Sequence, residues 1–463
     1  MRFLFLANNK IHGLIPEWSW SNSQETLELI DLSNNFITGF HRSHYFLPLV
    51  RLKCFIIANN MLHGRLPIPP RTIEVYDVNN NHLEGEIPPL IREVKFLRFL
   101  SLSSNNITGI LPPCFGSLSN SLIGLDLSKN NLQGTMMNSF TQDSPLQSID
   151  LSENQFVGQV SKSLTNCTNL EVLSLRDNSL YDVFPFWLGT LVELQVLILR
   201  SNKFYGEIQG LTTVSSQFPK LRIIDLSNNG FSGQLPHKYF QSWNAMKLVS
   251  IGKASYMQSK VSFKVFSEVD PYTMAITYKG SKTEFKYIIN ILVAIDLSCN
   301  KFEGEIPQSL QDLHGLQSLN FSNNHFTGHV LSSLGNLKNL EALDLSRNQL
   351  SGEIPQQLLQ LGFLAILNVS FNHLEGPIPQ GKQFDTFENN SYMGNLRLCG
   401  KPLSKECQHS KVSAPPQTSS TMYESFLPSE RVDWIVIFYG VGSGLIVGIV
   451  FGNFYARYYD WFI

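Results

Sequence analysis

Two arginines at equivalent positions are the side chains best suited to recognising a ligand. Arg176 and Arg200 each stand two residues before a recurring asparagine, and Ser174 and Ile198 stand two residues before them. Most equivalent positions carry serine, preceded by aspartate or asparagine. A guanidinium fork suits a carboxylate or a backbone carbonyl. We expect these four residues to bind ligand; the alternatives are a solvated pair or one that braces a neighbouring insertion.

The chain shows no pattern of a catalytic centre. It lacks a kinase Gly-rich loop, HRD and DFG motifs and a GxSxG elbow. Histidines such as His12, His63 and His325 lack the spacing of metal ligands. The stretch GVGSG matches no complete dinucleotide fingerprint. The sequence therefore predicts neither an enzyme nor a bound cofactor.

The charge balance argues against a nucleic-acid partner. The 463 residues include 35 basic and 37 acidic side chains, with a net charge of −2. Polyanion binding relies on a clustered basic excess, and none is present. A hydrophobic content of 43% is enough for a sizeable buried core.

One phrase repeats along most of the chain. LDLSKNNLQG, IDLSENQFVG and LDLSRNQLSG are versions of LxxLxLxxNxLxGxIP. Its fourteen key asparagines are Asn9, Asn35, Asn60, Asn81, Asn105, Asn130, Asn154, Asn178, Asn202, Asn229, Asn300, Asn324, Asn348 and Asn372. Most intervals are 24 or 25 residues, but Asn229 and Asn300 are 71 residues apart. Such periodicity indicates a solenoid, interrupted once by an insertion.

Each position of the phrase has a structural reason. The Leu-x-Leu alternation marks a short strand with one buried face, and stacked copies form a parallel sheet. An asparagine amide can bridge the backbone of neighbouring turns. Glycine stands four residues after the key asparagine in every copy but one, where Asp182 replaces it. We expect a positive φ or a close backbone approach at the glycines. We expect an unusual backbone angle at Asp182 too, since aspartate tolerates one better than most residues. The predicted fold class is an α/β repeat, a curved leucine-rich-repeat solenoid with its parallel β-sheet on the concave face, followed by one transmembrane helix.

The LxGxIP ending and the 24-residue period resemble the plant-specific class of extracellular leucine-rich repeats. QFDTF, SYMGN and LCGKPL are similar to the C-terminal cap of plant receptor-like proteins, and YTMAITYKG resembles their island. The resemblance implies repeats 1–10 over residues 1–241, an island insertion over 242–291, repeats 11–14 over 292–385 and a cap over 386–407. We expect the island to form short strands on the binding face; the alternative is a tolerated surface insertion.

The cysteines and sequons fit an oxidising, secretory route. A disulfide between Cys399 and Cys407 would close a nine-residue loop at the cap. Buried thiols are expected for the other four, Cys54, Cys114, Cys167 and Cys299. Asn106, Asn166, Asn320, Asn368 and Asn389 are candidate glycosylation sites, although an asparagine-rich chain also produces sequons by chance.

A membrane span follows the cap. Residues 408–433 are rich in Ser, Thr and Pro, as a juxtamembrane stalk would be. Residues 434–456 carry no formal charge and, as a helix, are long enough to cross a bilayer, leaving 457–463 as a cytosolic tail. Gly440, Gly444, Gly448 and Gly452 recur every four residues, which predicts a helix-packing face; the alternative is that glycine is common in membrane helices.

The resemblance to receptor-like proteins implies a cell-surface receptor in plant defence that senses a microbial or peptide ligand. Its implied partners are an extracellular protein, peptide or glycan ligand, an adaptor receptor-like kinase bound through the membrane helix, and a co-receptor kinase bound through the C-terminal repeats. The alternatives are a soluble inhibitor of cell-wall-degrading enzymes and a non-functional truncated fragment.

The start of the chain bears on its location. Met1 occupies the first leucine position of a repeat, without a signal peptide or an N-terminal cysteine cap before it. We expect an N-terminally truncated chain. With an upstream signal it would be a single-pass type I plasma-membrane protein; as written, its repeats would stay in the cytosol and its sequons would stay unmodified.

Overall fold

The structure is a computed structural model and describes residues 1–16, 25–41, 47–113, 115–118, 120–208, 217–249, 257, 274–278, 281–285 and 288–407. Residues 1–407 form one unit. The predicted stalk, membrane span with its four glycines, and tail lie outside the described residues, as does Cys114. Within the described ranges, no helix has the length and apolarity that crossing a bilayer requires.

The Leu-x-Leu segments form one parallel sheet with fourteen described strands, one from each repeat. These are β1 (Phe3–Phe5), β3 (Leu29–Asp31), β5 (Cys54–Ile56), β7 (Val75–Asp77), β9 (Phe99–Ser101), β11 (Gly124–Asp126), β13 (Ser148–Asp150), β15 (Val172–Ser174), β17 (Val196–Ile198), β19 (Ile223–Asp225), β23 (Ala294–Asp296), β25 (Ser318–Asn320), β27 (Ala342–Asp344) and β29 (Ile366–Asn368). Strands pair in repeat order, and central residues such as Leu173, Leu197 and Ile224 are buried in the common core. The predicted strands and their period of two are confirmed.

A second row of strands follows the key asparagines on one flank of the solenoid, in four separate parallel sheets. They are β2 (His12–Ile15) with β4 (Phe36–Phe40); β6 (His63–Arg65), β8 (His82–Glu86), β10 (Asn106–Ile110), β12 (Asn131–Thr135), β14 (Gln155–Gly158) and β16 (Ser179–Leu180); β18 (Tyr205–Glu207), β20 (Gly230–Gln234), β24 (Lys301–Glu305) and β26 (His325–Thr327); and β28 (Ser351–Glu353), β30 (His373–Pro377) and β31 (Arg397–Cys399).

Short helices close the non-strand half of many repeats. The α-helices are α1 (Phe115–Leu118), α2 (His237–Ser242) and α3 (Asn244–Lys247). The 3₁₀ helices are Pro89–Glu93, Lys162–Asn166, Phe186–Thr190, Gln308–Asp312, Ser332–Asn336, Gln356–Gln360, Lys382–Thr386 and Asn389–Ser391. Their leucines, among them Leu164 and Leu188, point into the core.

The key asparagines join neighbouring repeats as expected. The amide of Asn130 donates to the carbonyls of Leu127 and Ser128 in its own turn and of Leu102 in the preceding repeat, at 2.9–3.2 Å. Its Oδ1 accepts the backbone N–H of Ile107, also in the preceding repeat, at 3.0 Å. One buried side chain therefore satisfies backbone groups of two turns that would otherwise lose hydrogen bonds.

The residue before each key asparagine has a left-handed backbone, which the sequence interpretation missed. All fourteen have φ between 50° and 57°: Asn8, Asn34, Asn59, Asn80, Ser104, Lys129, Glu153, Asp177, Ser201, Asn228, Cys299, Asn323, Arg347 and Phe371. Asparagine tolerates this region better than most residues. The frequent Asn-Asn pairs of the repeat were the available signal.

The glycine four residues later is needed for both predicted reasons. Gly233 has φ of +74°, and a Cβ there would lie 2.6 Å from Cγ of Glu207, whose side chain crosses it from the preceding repeat. Asp182, which replaces this glycine in repeat 8, does not take a positive φ, so that expectation is wrong. Instead its carboxylate accepts the backbone N–H groups of Val160 and Val183. The six-stranded flank sheet ends in this repeat.

The insertion leaves the stack of repeats continuous. Strand β19 pairs directly with β23 although about seventy residues separate them. Asn300 donates to the carbonyl of Leu226 at 3.0 Å, and the rings of Phe231 and Phe302 stack at 6.2 Å. Met246 belongs to the solenoid core, so this core continues past the predicted boundary at residue 242. Within the predicted island, β21 (Met274–Tyr278) and β22 (Ser281–Phe285) form an antiparallel hairpin.

The cap continues the ladder for one more turn. Asn395, which the repeat pattern did not include, accepts from Leu374 N–H at 3.0 Å and donates to the carbonyl of Val369 at 2.9 Å. Strand β31 pairs with β30, and a disulfide joins Cys399 to Cys407, whose Cα atoms are 5.0 Å apart. The last repeat is thus covered by backbone pairing and a covalent loop.

We expect Cys399→Ser to destabilise the cap. Opening a nine-residue loop costs roughly 2.5 kcal/mol on the loop-entropy model. Hydrogen exchange of amides in β30 and β31 should rise in the variant, while exchange in β13 should stay unchanged because solenoid repeats contact only their neighbours. Cys299→Ser, which changes an exposed thiol outside any described disulfide, is the matched control. Equal exchange in both variants would show that the loop contributes nothing to the cap.

Candidate functional site

The inserted segment contacts the concave face of repeats 8–10. Met257 and Ile288 of the insertion, together with Leu292 directly after it, form a buried apolar cluster with side chains of three neighbouring strands: Val172 of β15, Val196 and Ile198 of β17, and Ile223 of β19. These positions face outward in the Leu-x-Leu alternation and would be exposed on a bare solenoid. The insertion therefore attaches to the sheet by hydrophobic contact.

The predicted ligand patch lies at this contact and is largely covered. Ser174, Arg176 and Ile198 are 5%, 3% and 0% exposed, respectively, so the alternative of a solvated arginine pair does not hold for Arg176. Arg200 is half-buried. The apolar residues of the insertion that cover the strands could not be paired with them from the sequence. Ligand contact by the four residues stays a prediction.

Arg176 is committed to ion pairs within the solenoid. Its Nη1 donates to Oδ2 of Asp177 at 2.7 Å, and its Nη2 donates to a carboxylate oxygen of Glu153 in the preceding repeat. Buried and held by two carboxylates, this guanidinium braces repeats 7 and 8. This arrangement is neither an open recognition fork nor a brace for the insertion, because both carboxylates belong to the solenoid.

Two buried aspartates, one in the repeat before the insertion and one in the repeat after it, each stabilise a turn. Asp225 Oδ1 accepts the backbone N–H and the hydroxyl of Ser227, and Asp296 Oδ1 makes the same bonds with Ser298. These hydrogen bonds explain why an Asp-x-Ser motif recurs in the repeats. Asp225 and Asp296 are direct cross-strand neighbours and are 2% and 6% exposed. Asp225 Oδ2 has no hydrogen-bond partner among the described residues.

The burial of this pair makes the charged state costly. Burial raises the pKa of Asp296 to about 7, and the neighbouring Asp225 carboxylate adds to the rise. Burial likewise raises the pKa of Asp225, while its bonds to Ser227 and the positive charges of Arg200 and Arg176 oppose the shift. At neutral pH Asp296 is therefore partly protonated, whereas in an unfolded chain it would be ionised.

Stability should fall as the pH rises from about 4 to 7. A carboxyl whose pKa is raised in the fold binds more protons when folded than when unfolded, so its contribution is lost as the pH rises from the ordinary value of 3.8 towards 7. Asp296→Asn keeps an acceptor for Ser298, as Asn320 does naturally for Ser322, and should flatten this slope. Thermal midpoints measured from pH 4 to 8 test this; an unchanged slope would contradict it. Exposed Asp143→Asn is the control.

The predicted sequons differ in their surroundings. Asn106 and Asn389 are exposed, on β10 and in a 3₁₀ helix. Asn166 donates to the carbonyl of Phe140 at 2.8 Å. Asn320 and Asn368 lie on the concave sheet in place of the turn aspartate, and each accepts from the serine of its own sequon. Glycosylation at all five stays a prediction.

The cysteine expectations hold in part. Cys54 and Cys167 are buried, and burial raises the pKa of the Cys167 thiol to about 11. Cys299 is exposed, so its predicted burial is wrong: it occupies the left-handed turn before Asn300, which projects to solvent. The described residues include no group of three or more His, Cys, Asp or Glu side chains arranged to hold a metal ion.

The parallel sheet, the asparagine ladder and the flank strands together define a leucine-rich-repeat solenoid. Family models for the leucine-rich repeat match residues 96–118, 144–204, 220–240, 292–313, 315–337 and 339–361. Receptor-like protein 7 of Arabidopsis thaliana is 50% identical over all of this chain and 48% of its own length. Receptor-like protein 6 of the same plant is 46% identical over 99% of this chain and 46% of its own length.

Solved structures agree with this assignment. The Arabidopsis receptor kinase HAESA, in complex with the peptide hormone IDA and the co-receptor SERK1, matches with 28% identity over 86% of this chain and 62% of that one, with a TM-score of 0.60. A TDR receptor matches with 25% identity over 81% of this chain and 60% of that one, also with a TM-score of 0.60. The chain belongs to the plant leucine-rich-repeat receptor-like proteins, and it spans about half the length of the curated relatives it matches.

Proposed function

We propose that this chain is part of a single-pass plasma-membrane receptor and binds its extracellular microbial or peptide ligand. The receptor signals through partner receptor kinases in plant defence. The observation that carries the proposal is the insertion attached to the concave face through Met257, Ile288 and Leu292. It breaks the periodic surface of the solenoid at one place and covers Ile198, two residues before the half-buried Arg200. Relatives named as receptor-like proteins support the same role.

The ligand, a protein, peptide or glycan, would bind beside the insertion at repeats 8–11. Arg200 is the most accessible of the four candidate residues and lies near the carboxylates of Asp225 and Asp296. A guanidinium there can bind a ligand carboxylate or carbonyl. A co-receptor kinase would bind the C-terminal repeats; the solved complex of HAESA with the co-receptor SERK1 supports co-receptor binding in general.

The test is ligand-dependent association in leaf cells. The full chain, fused to a secretory leader, is expressed with a tagged co-receptor kinase and treated with microbial culture filtrate. We expect filtrate-dependent co-precipitation that is lost in Arg200→Ala. The control is Arg71→Ala, which changes an arginine whose side chain is 79% exposed on a distant repeat. Association that never depends on the filtrate would refute the receptor role; dependence that survives Arg200→Ala would refute only the residue assignment.

Association with an adaptor kinase is proposed to run through residues 434–456. Replacing Gly444 and Gly448 with Leu keeps the segment hydrophobic but prevents close helix approach, so co-precipitation with the adaptor should fall while surface expression persists. Ile446→Leu with Val450→Leu is the matched control, because it changes the same spacing on another face. Equal association in both variants would place the contact elsewhere.

A further inference from the structure

A polar groove lies on the flank of repeats 10–13, on a different sheet from the concave site. Its volume is about 470 Å³, and it is lined by Gln234, Glu303, Gly304, His325, Thr327 and Gln349. Parallel pairing positions these residues: Gln234 of β20 is opposite Glu303 of β24, which is opposite His325 of β26. Thr327 lies two residues further along β26, and Gln349 lies in the next repeat.

The polar side chains of the groove have no partners among the residues that the structure describes. Gln234, Glu303, His325, Thr327 and Gln349 make no side-chain hydrogen bond or ion pair with the described part of the chain. Gly304 lies between them, and Gln234 Cγ would be 2.9 Å from a Cβ at this position. The glycine keeps the floor of the groove open. Thr327 is half-buried and the other four side chains are exposed, so the hydrogen-bonding groups of all five are available to a ligand.

The chemistry of these groups is balanced between donors and acceptors. Two primary amides both donate and accept, the hydroxyl and the imidazole do the same, and the carboxylate accepts. A ligand rich in hydroxyl groups offers the complementary mixture. The groove crosses strands that are about 4.8 Å apart, so a polar group recurs on each successive strand along the solenoid axis, as binding a linear chain of sugar rings requires.

We propose that this groove is a binding site for a neutral oligosaccharide. The lining contains one carboxylate and no cationic side chain, which disfavours a polyanionic glycan such as polygalacturonate. It also lacks an apolar side chain against which a peptide side chain could pack. By contrast, the flank of repeats 7–9 exposes Val157, Tyr181 and Tyr205, so the polar lining is not a general property of this face.

Calorimetric titration of the full chain in detergent micelles tests the site. The probes are a neutral cello-oligosaccharide, a neutral xylo-oligosaccharide and an oligogalacturonate, each of six sugars. We expect at least one neutral hexasaccharide to bind and the oligogalacturonate not to bind. Gln234→Ala with His325→Ala should weaken binding about tenfold, because each removes a hydrogen bond to the sugar.

Gln133→Ala with Gln155→Ala is the matched control, since these exposed residues are cross-strand neighbours on β12 and β14, outside the groove. Circular dichroism checks that all variants fold. Failure of both neutral sugars to bind, equal affinity in the groove and control variants, or tighter binding of the oligogalacturonate would each overturn the proposal. The filtrate-dependent association of the receptor is a separate readout, so either result can fail alone.

Discussion

Asn130→Ala should lower the free energy of unfolding by roughly 3–5 kcal/mol, because one substitution leaves several buried backbone groups without a partner. The lost bonds are those to the carbonyls of Leu102, Leu127 and Ser128 and from the N–H of Ile107. No small side chain can span both repeats in its place, and water has little access to a turn where Asn130 is 8% exposed. Urea denaturation of the wild type and the variant measures the loss.

The neighbouring residue supplies a control with the same chemistry. Asn131 is exposed at the start of β12, and its side chain makes no hydrogen bond to the described residues. Asn131→Ala should therefore change the free energy of unfolding by less than about 0.5 kcal/mol. Similar losses for the two variants would mean that the ladder does not hold neighbouring repeats together.

Ile198→Asp should release the inserted segment from the sheet. Ile198 is fully buried in the cluster with Met257, Ile288 and Leu292, and an unpaired carboxylate in such a contact costs several kcal/mol. Aspartate is the ordinary residue at this position of the repeat, as at Asp150, so the solenoid itself should tolerate the change. We expect limited proteolysis between residues 250 and 290 to accelerate more than tenfold, with the circular dichroism spectrum retained.

Ile110→Asp is the control for this prediction. Ile110 is 60% exposed on β10, so the same chemical change there places the charge in water. Its proteolysis should match that of the wild type. If Ile198→Asp were cleaved no faster than this control, hydrophobic contact would not be what attaches the insertion to the concave face.

The repeat architecture could be predicted because its information is local and repeated fourteen times. Alternating leucines specify a strand wherever they occur, and each copy can pack only against a similar copy. The asparagine ladder followed from the same logic, since a buried tight turn must satisfy its backbone groups. Asn395 was not predicted as part of the ladder because no Leu-x-Leu strand precedes it, although it stands 23 residues after Asn372.

The sequence by itself determined the class of fold, the order of repeats and the place of the insertion. Only the tertiary structure decided which concave side chains the insertion covers, because Ile198 and Met257 meet through contacts that no spacing rule encodes. The tertiary structure also decided the partners of Arg176, which are two carboxylates. The sequence does not show whether an arginine side chain faces solvent or acidic neighbours. The flank groove likewise needed the parallel register that brings Gln234, Glu303 and His325 side by side, since side chains far apart in the chain become neighbours only when the repeats stack.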